Sequence, residues 1–483
     1  MPTTTFISTR WSSRRAVSAA ALGAALVLGA CAEFDLQNTN APTVEELTGA
    51  PSRAVLARAA TGIFSQALTD VAGIIQQWGI YGREGYNLLG NDPRETGEEI
   101  RGPQDPGGRA GGVWTGEYQA IRTINAYLTA LPNGVGLTDA EKSASAGFAK
   151  TIKAWHMHKV ALRSGVLGMP IDVDQPITEP PAPFVSSADA ETAVSALFDE
   201  AYADLQAGGA AFPFTVAPGY TGFSTPATFA TFNRALAAKV LVHRATFLQC
   251  GACWAEANSV IGASFITTTG LPGSLATGVY YAYSTAAGEP VNPITENITI
   301  LRYWVHPSIV TGAQLRGTGE PDLRLTNKVT EAPEPRSLNG LTGTHKPTLF
   351  NTVGNPTLAD QGSDIPWIKN EELLLLRAEI RWNTGDKAGA IVDLNLVRQN
   401  AGGLDPTTLT AASPDDAFIT ELLYNRLYSM MWEQGTRWID ARRYNRLADL
   451  PVDRPGDSKY NNMLVPAGEC DARGLPVPCT PLQ

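Results

Sequence analysis

Apolar residues recur along this chain every three or four positions, the spacing that lays them on one stripe of a helix. Residues 52–78 carry Val55, Leu56, Ala59, Ile63, Leu68, Val71, Ile74 and Ile75 in this way, and 114–131 carry Trp114, Tyr118, Ile121, Ile124 and Leu128. Thr138-Asp-Ala-Glu141 has the form of a capping box and predicts a helix to about residue 163. A further helix is predicted over 188–206. Thr225-Pro226 supplies an N-cap and an N1 proline for one running to 249, with a partner over 254–261. Residues 264–366 break the pattern: they are rich in Gly, Pro and Thr, and only 278–283 and 298–304 read as strands. An irregular stretch of that length in a folded chain points to function. Helices resume over 369–382 and 386–400, the second ended by Gly402-Gly403. Ser413-Pro414 introduces another to about 433, and 437–447 reads as the last. The expected fold class is mainly α.

Two stretches, "HRATFLQCGACWAEANSVI" and "LRAEIRWNTGDKAGAIVDLNLVR", share a scheme of an Ala-containing helix, a short turn and a second Ala-rich helix. Such pairs resemble tetratricopeptide units of about 34 residues, in which small side chains let antiparallel helices approach and stacking buries their faces.

The first thirty residues differ from the rest. Arg10, Arg14 and Arg15 precede an apolar run over 16–30 that is too short to span a bilayer, which takes about 20 residues. It reads as a signal peptide, and Leu28-Gly29-Ala30-Cys31 resembles a bacterial lipobox. The expectation is cleavage before Cys31 and acylation of that cysteine, with 31–42 as a tether. Several acyl chains on one residue anchor stably where a single chain is marginal. The adjacent Arg14-Arg15 pair is only a weak twin-arginine match. Without those three arginines the chain carries 34 basic and 47 acidic residues, a net charge of −13. That balance argues against nucleic acid as a partner. The remaining four cysteines fall as Cys250-Gly-Ala-Cys253 and as Cys470 with Cys479. In an exported chain this reads as two local disulfides. Gly251-Ala252 is expected to form the turn between two helices, which favours a structural clip over a redox centre.

Several stretches together resemble the SusD/RagB family of outer-membrane lipoproteins. "MWEQGTRWIDARRYNRL" is similar to that family's signature near the C-terminus, with Gly435, Arg437, Trp438, Asp440, Arg442 and Arg443 at the matching positions. "ELLLLRAEIRWNTGDKAGAIVDLNLVRQNAGG", "VWTGEYQAIRTINAYL", "KAWHMHKVALRSGVLGMPI" and "NNMLVPAGECDARGLPVP" resemble further family segments in the same order. Two departures stand out: Ser429 occupies a position where the family's Arg-x-x-Glu-Leu-x-x-Glu helix carries an acid, and the cysteine pairs are extra. The residues of the C-terminal signature read as salt-bridged helix contacts with Trp438 as a core plug. The resemblance implies one SusD-like, TPR-like α domain over 43–483, with a loop-rich ligand-side insertion from about 263 to 366 and family-signature helices over 367–447. It implies a non-catalytic subunit, anchored in the outer membrane and exposed at the cell surface. Such a subunit captures oligosaccharides or peptides and serves as the lid of a SusC-like TonB-dependent transporter barrel.

No HExxH, GxSxG, Walker A or GxGxxG motif occurs in a fitting context. His156 and His158 lie two apart on a helix and so do not form a chelating pair. Asp172-Val-Asp174 is too short for a calcium loop. No cofactor and no metal are expected. Sugars present apolar faces and polar rims, so flat aromatics beside Asn, Asp and Arg suit them. Two segments have that mixture. One contains Trp78, Tyr81, Arg83, Tyr86, Asn87, Asn91 and Asp92; the other contains Tyr280, Tyr281, Tyr283 and Trp304. The competing readings are a surface-anchored hydrolase, since Glu and Asp pairs recur along the chain and could supply a glycosidase dyad although none is singled out, and a TPR-like protein–protein scaffold.

Overall fold

Thr138 caps its helix as expected: its hydroxyl accepts from the Glu141 amide at 3.2 Å and the Glu141 carboxylate accepts from the Thr138 amide at 2.9 Å. The helix that follows, Asp139–Ser164, is the longest of the fold's described helices. The computed structural model describes residues 44–482 apart from 177, 301 and 353. The expected signal peptide, the expected tether and Cys31 lie outside them.

About half of the chain is helical. The main helices are α1 (Arg53–Gln66), α2 (Val71–Tyr81), α3 (Thr115–Ala130), α4 (Asp139–Ser164), α5 (Ser187–Gln206), α6 (Pro226–Phe247) and α7 (Gly251–Gly262), followed by α8 (Asn370–Asn383), α9 (Lys387–Asn400), α10 (Asp415–Met430) and α11 (Thr436–Arg443). Sequential helices pair, α4 on α5, α6 on α7 and α8 on α9. The stripe over 52–78 is not one helix. It breaks between α1 and α2, where Asp70 takes a left-handed backbone at φ 58°. The last two helices also end earlier than expected, α10 at Met430 and α11 at Arg443.

Among the described residues, eight short strands form four antiparallel pairs: β1 (Gly85–Asn87) with β5 (Tyr303–Val305), β2 (Met169–Pro170) with β3 (Phe184–Val185), β4 (Gly278–Tyr281) with β8 (Ile365–Lys369), and β6 (Val329–Leu338) with β7 (Leu341–Pro347). The irregular stretch therefore contains a hairpin, β6–β7, that alternation did not reveal. Pro333 and Pro335 remove two amide donors from β6, and the ladder shifts register between Glu331 and Arg336. Of the described residues in the strand expected over 298–304, Tyr303 and Trp304 form a strand, joined to Val305.

One apolar cluster runs from Leu56 in α1 through Phe148, Phe229 and Trp367 to Trp432, and a second lies between α8, α9 and α10. In the latter Trp382 and Phe418 stack with ring centroids 4.0 Å apart. Several charged groups inside the fold are matched. Glu117 takes Lys159 at 2.6 Å and His156 at 2.5 Å, and Lys239 meets Glu372 at 2.8 Å. Ser429, standing where the resemblance leads to an acid, receives the Arg324 guanidinium at 3.1 Å. Lys369 there meets two acids, Glu433 at 3.0 Å and Glu371 of α8 at 3.1 Å. A carboxylate from a neighbouring helix thus occupies that charge network. The cysteines pair as Cys250–Cys253 and Cys470–Cys479. The turn before α7 is residues 248–250, however, and Gly251-Ala252 already belong to its first helical turn.

Candidate functional site

The C-terminal signature is a structural knot. Gly435, at φ 63°, starts α11 with no side-chain cap of its own. Glu84, far away in sequence, supplies it: its carboxylate accepts the Arg437 amide at 3.0 Å and the Trp432 amide at 2.7 Å. An acid belongs there, because the first amides of a helix lack partners and carry partial positive charge. Burial nevertheless raises Glu84 above the ordinary carboxylate range, more than the two amides lower it. Trp438 is fully buried and donates to the Tyr460 carbonyl at 2.7 Å. Asp440 accepts from Arg426 at 2.8 Å and Arg443 at 2.7 Å, and Arg443 also holds Glu379. Burial alone would raise Asp440, but the two guanidiniums outweigh it and hold the carboxyl low.

The first expected ligand segment is woven into this knot, which corrects its reading as an exposed platform. Trp78 packs 5.6 Å from the Trp438 ring, and Tyr81 lies between Trp438 and Tyr460. Arg83 is 0 % exposed, with its guanidinium on the carbonyls of Ile80 and Ser458. Tyr86 lies against His306, and Asn87 turns its side chain back to the Leu89 amide. Only Asn91 and Asp92 reach the surface, and Asp92 caps the short 3₁₀ turn Pro93–Glu95 while bonding Arg94. The glycines of this stretch serve close packing. A Cβ on Gly82 would stand 2.7 Å from the Trp438 amide nitrogen, and one on Gly85 2.6 Å from the Trp304 carbonyl oxygen. Trp304 is likewise withdrawn as a platform: it is 1 % exposed, opposite Tyr86 in the β1–β5 ladder.

The tyrosines of β4 divide between two environments. Successive residues of a strand point to opposite faces. A register shift between Val279 and Tyr280 accompanies the pairing with β8. Tyr281 turns inward, stacks on Trp367 at 4.7 Å and accepts from the Trp155 indole at 3.2 Å, so it too is core. Tyr280 turns outward into a cleft of about 600 Å³. Phe223, Phe265, Thr228, Thr231 and Asp364 complete the polar and apolar lining. Gly219 forms part of the wall because the Tyr280 carbonyl approaches so closely that a Cβ would lie 2.1 Å from it. Phe223 and Phe265 meet edge to face at 4.9 Å. The Tyr280 hydroxyl donates to the Ala276 carbonyl, and burial raises the phenol above its ordinary value, so it remains protonated. Asp364 accepts the Tyr283 amide at 3.0 Å, and its carboxyl is raised by loss of water around it. Tyr283 is half-buried beside the cleft.

Of the eleven aromatic and polar candidates, then, Tyr280 alone lines this cleft, with Tyr283 next to it. The residues that complete it were not singled out by sequence. Phe223 sits in a Pro/Gly turn just ahead of the Thr225 cap, and Phe265 follows α7; nothing local joins either to β4. Phe223 and Phe265 supply aromatic surface, Asp364 accepts hydroxyls, and the threonines donate and accept. This chemistry suits a neutral polyhydroxylated ligand. No group of three or more His, Cys, Asp or Glu among the described residues is placed to hold a metal ion.

No family model matches the chain, and no curated protein matches it. Solved structures do. NanU of B. fragilis is 13 % identical with a TM-score of 0.62, over 89 % of this chain and 96 % of that one. A SusD superfamily protein from Bacteroides vulgatus ATCC 8482 is 16 % identical with a TM-score of 0.62, over 88 % and 98 %. Surface glycan-binding protein A from Bacteroides thetaiotaomicron, solved in complex with laminarihexaose, is 13 % identical with a TM-score of 0.64, over 87 % and 98 %. The order of helix pairs, the signature knot and these likenesses over most of both chains agree, and the chain has the TPR-like helical fold of the SusD-like proteins.

Proposed function

We propose that this protein is a non-catalytic, surface-anchored member of the SusD/RagB family that binds oligosaccharides and passes them to a TonB-dependent transporter barrel. The observation that carries the reading is the cleft at Tyr280. It offers an outward aromatic, hydroxyl and carboxylate partners, and room for a sugar segment, on a fold shared with a protein solved in complex with laminarihexaose. Tight binding is not needed for capture beside a pore. A millimolar ligand corresponds to about −4 kcal/mol, within reach of one or two stacked aromatics and a few hydrogen bonds. Attachment through Cys31 and the lid role follow from the lipobox and the family resemblance. No described helix is long and apolar enough to cross a membrane, so the reading relies on the lipid for anchorage.

The test is a glycan array probed with the purified protein and with Tyr280→Ala, together with recovery of the lipidated protein from outer membranes. The reading expects selective oligosaccharide binding that weakens in the variant, and a large barrel protein that co-purifies. Shortening of the bound glycan by the protein alone would favour the hydrolase reading instead.

A further inference from the structure

A second cleft, of about 470 Å³, lies where the C-terminal end of α4 meets α6 and α11, apart from Tyr280 and its neighbours. Arg442 lines it and differs from the nearby Arg443 and Arg426 in having no carboxylate partner among the described residues. Arg443 has Glu379 and Asp440, and Arg426 has Asp440. Arg442 is 6 % exposed and forms no ion pair among the described residues. One nitrogen, Nη1, donates to the Leu162 carbonyl at 2.7 Å, while Nε has no partner. Its plane lies over the Trp438 ring at 4.1 Å, with Phe247 on it at 5.2 Å. The rings hold the guanidinium in place without neutralising it. Gly165, at φ 50°, leaves room beside Nη2, which a Cβ would approach to 3.0 Å. Burial pulls Arg442 down to about 9, so it is still a cation at neutral pH.

Arg244 lines the same cleft. It is tied by Nη1 to Ser195 at 2.9 Å and by Nη2 to Thr192 at 3.2 Å, with Nε unpartnered. His243 is also in the lining and is 2 % exposed. Its Nδ1 lies 3.0 Å from His158 Nε2, and His158 Nδ1 lies 3.0 Å from Glu191. With neutral rings, Glu191 accepts from His158 Nδ1 and His158 Nε2 accepts from His243 Nδ1. His243 Nε2 is then a bare acceptor, and it has no partner. Buried polar groups ordinarily find partners, so a guanidinium without a counter-ion and an acceptor without a donor, both on residues that line one cleft, point to a ligand.

We propose that this cleft binds a sugar acid: its single carboxylate pairs with Arg442 and Arg244, and one of its hydroxyls donates to His243 Nε2. A guanidinium edge matches a planar carboxylate. Glu191, the acid in the lining, opposes a dianion such as phosphate. The site is separate from the Tyr280 cleft, so either can fail without the other.

Isothermal titration of the purified protein with D-glucuronate, D-glucose and sodium acetate tests it. Glucuronate binds at one site, acetate binds more weakly and glucose gives no saturable heat. Arg442→Gln weakens glucuronate about ten-fold or more, as loss of a hydrogen-bonded charge does. Arg244→Gln weakens it several-fold, and Tyr280→Ala leaves it unchanged. Val166 is 73 % exposed and lines the same cleft, so Val166→Glu adds a repelling charge without touching the core and also weakens binding. That variant and Arg244→Gln decide the matter if Arg442→Gln does not fold. No glucuronate binding, equal binding of glucose, equal binding of acetate, or affinity untouched in both rim variants would overturn the proposal.

Discussion

Asp440→Asn is the sharpest test of the conclusion that the C-terminal signature builds the fold and takes no part in the proposed ligand cleft at Tyr280. The Asp440 carboxylate is 3 % exposed and neutralises two buried guanidiniums. Arg443 keeps Glu379 when Asp440 loses its charge, whereas Arg426 loses the one ion pair it has among the described residues. Leaving one buried charge uncompensated costs about 3–5 kcal/mol, a large share of the roughly 5–15 kcal/mol that separates folded from unfolded protein. Urea unfolding followed by tryptophan fluorescence should show that loss as a lower midpoint at unchanged slope. The sign of the pH dependence follows from the depressed carboxyl. Its stabilisation is complete above the unfolded value, about 3.9, and disappears as pH falls through the lower folded value. The gap between the two proteins should therefore close in acid. Replacing Arg426 by Met in the Asn variant should restore part of the stability, because an apolar group has no charge to strand. A loss below about 1 kcal/mol, or oligosaccharide affinity that vanishes while stability is kept, would refute the reasoning.

Gly82→Ala should lower the unfolding free energy by about 1–3 kcal/mol, since its Cβ meets the Trp438 backbone at 2.7 Å, whereas Gly62→Ala in α1, with nothing within 4 Å, should stabilise by roughly 0.5–1 kcal/mol. Glu99 is pushed up to about 8 by burial, with Arg109 opposing and Glu95 and Glu98 adding to the rise. The folded state therefore holds a proton the unfolded chain releases, and stability falls as pH rises from the ordinary glutamate range towards 8. Glu99→Gln should accordingly stabilise at pH above that value and change little in acid, as thermal unfolding across pH would reveal. Removing Cys470–Cys479 by double serine substitution should cost about 3 kcal/mol and removing Cys250–Cys253 about 2 kcal/mol, because the longer loop restrains the unfolded chain more.

The helices were legible because their caps and stripes are local: Thr138 with Glu141, Thr225 with Pro226, Gly402-Gly403 after α9. The break at Asp70 was not, since the apolar stripe continues across it through Leu68 and Val71. The β6–β7 hairpin escaped because Pro333, Pro335 and exposed charges hide its alternation. The site was harder. Gly79, Gly82 and Gly85 look like a flexible loop, but they are the places where Trp432, Trp438 and the Trp304 backbone come close. Aromatic density there marks packing. Tyr280 carried no stronger local signal than Tyr281; the alternation of the strand sends one outward and the other inward, and the packing against Trp367 decides which. Phe223, Phe265 and Asp364 converge on it from three separate segments, and Glu84 caps a helix some 350 positions away. Only the tertiary fold reveals such partners.

The most direct measurement is calorimetric titration of the purified protein with laminarihexaose and other neutral hexasaccharides, followed by mass spectrometry of the recovered sugar. The account predicts saturable binding to one of them, that sugar returned at its original length, and affinity weakened in Tyr280→Ala with the unfolding midpoint unchanged. Recovery of shortened sugars, or a Tyr280→Ala protein that binds as well as the parent, would contradict it.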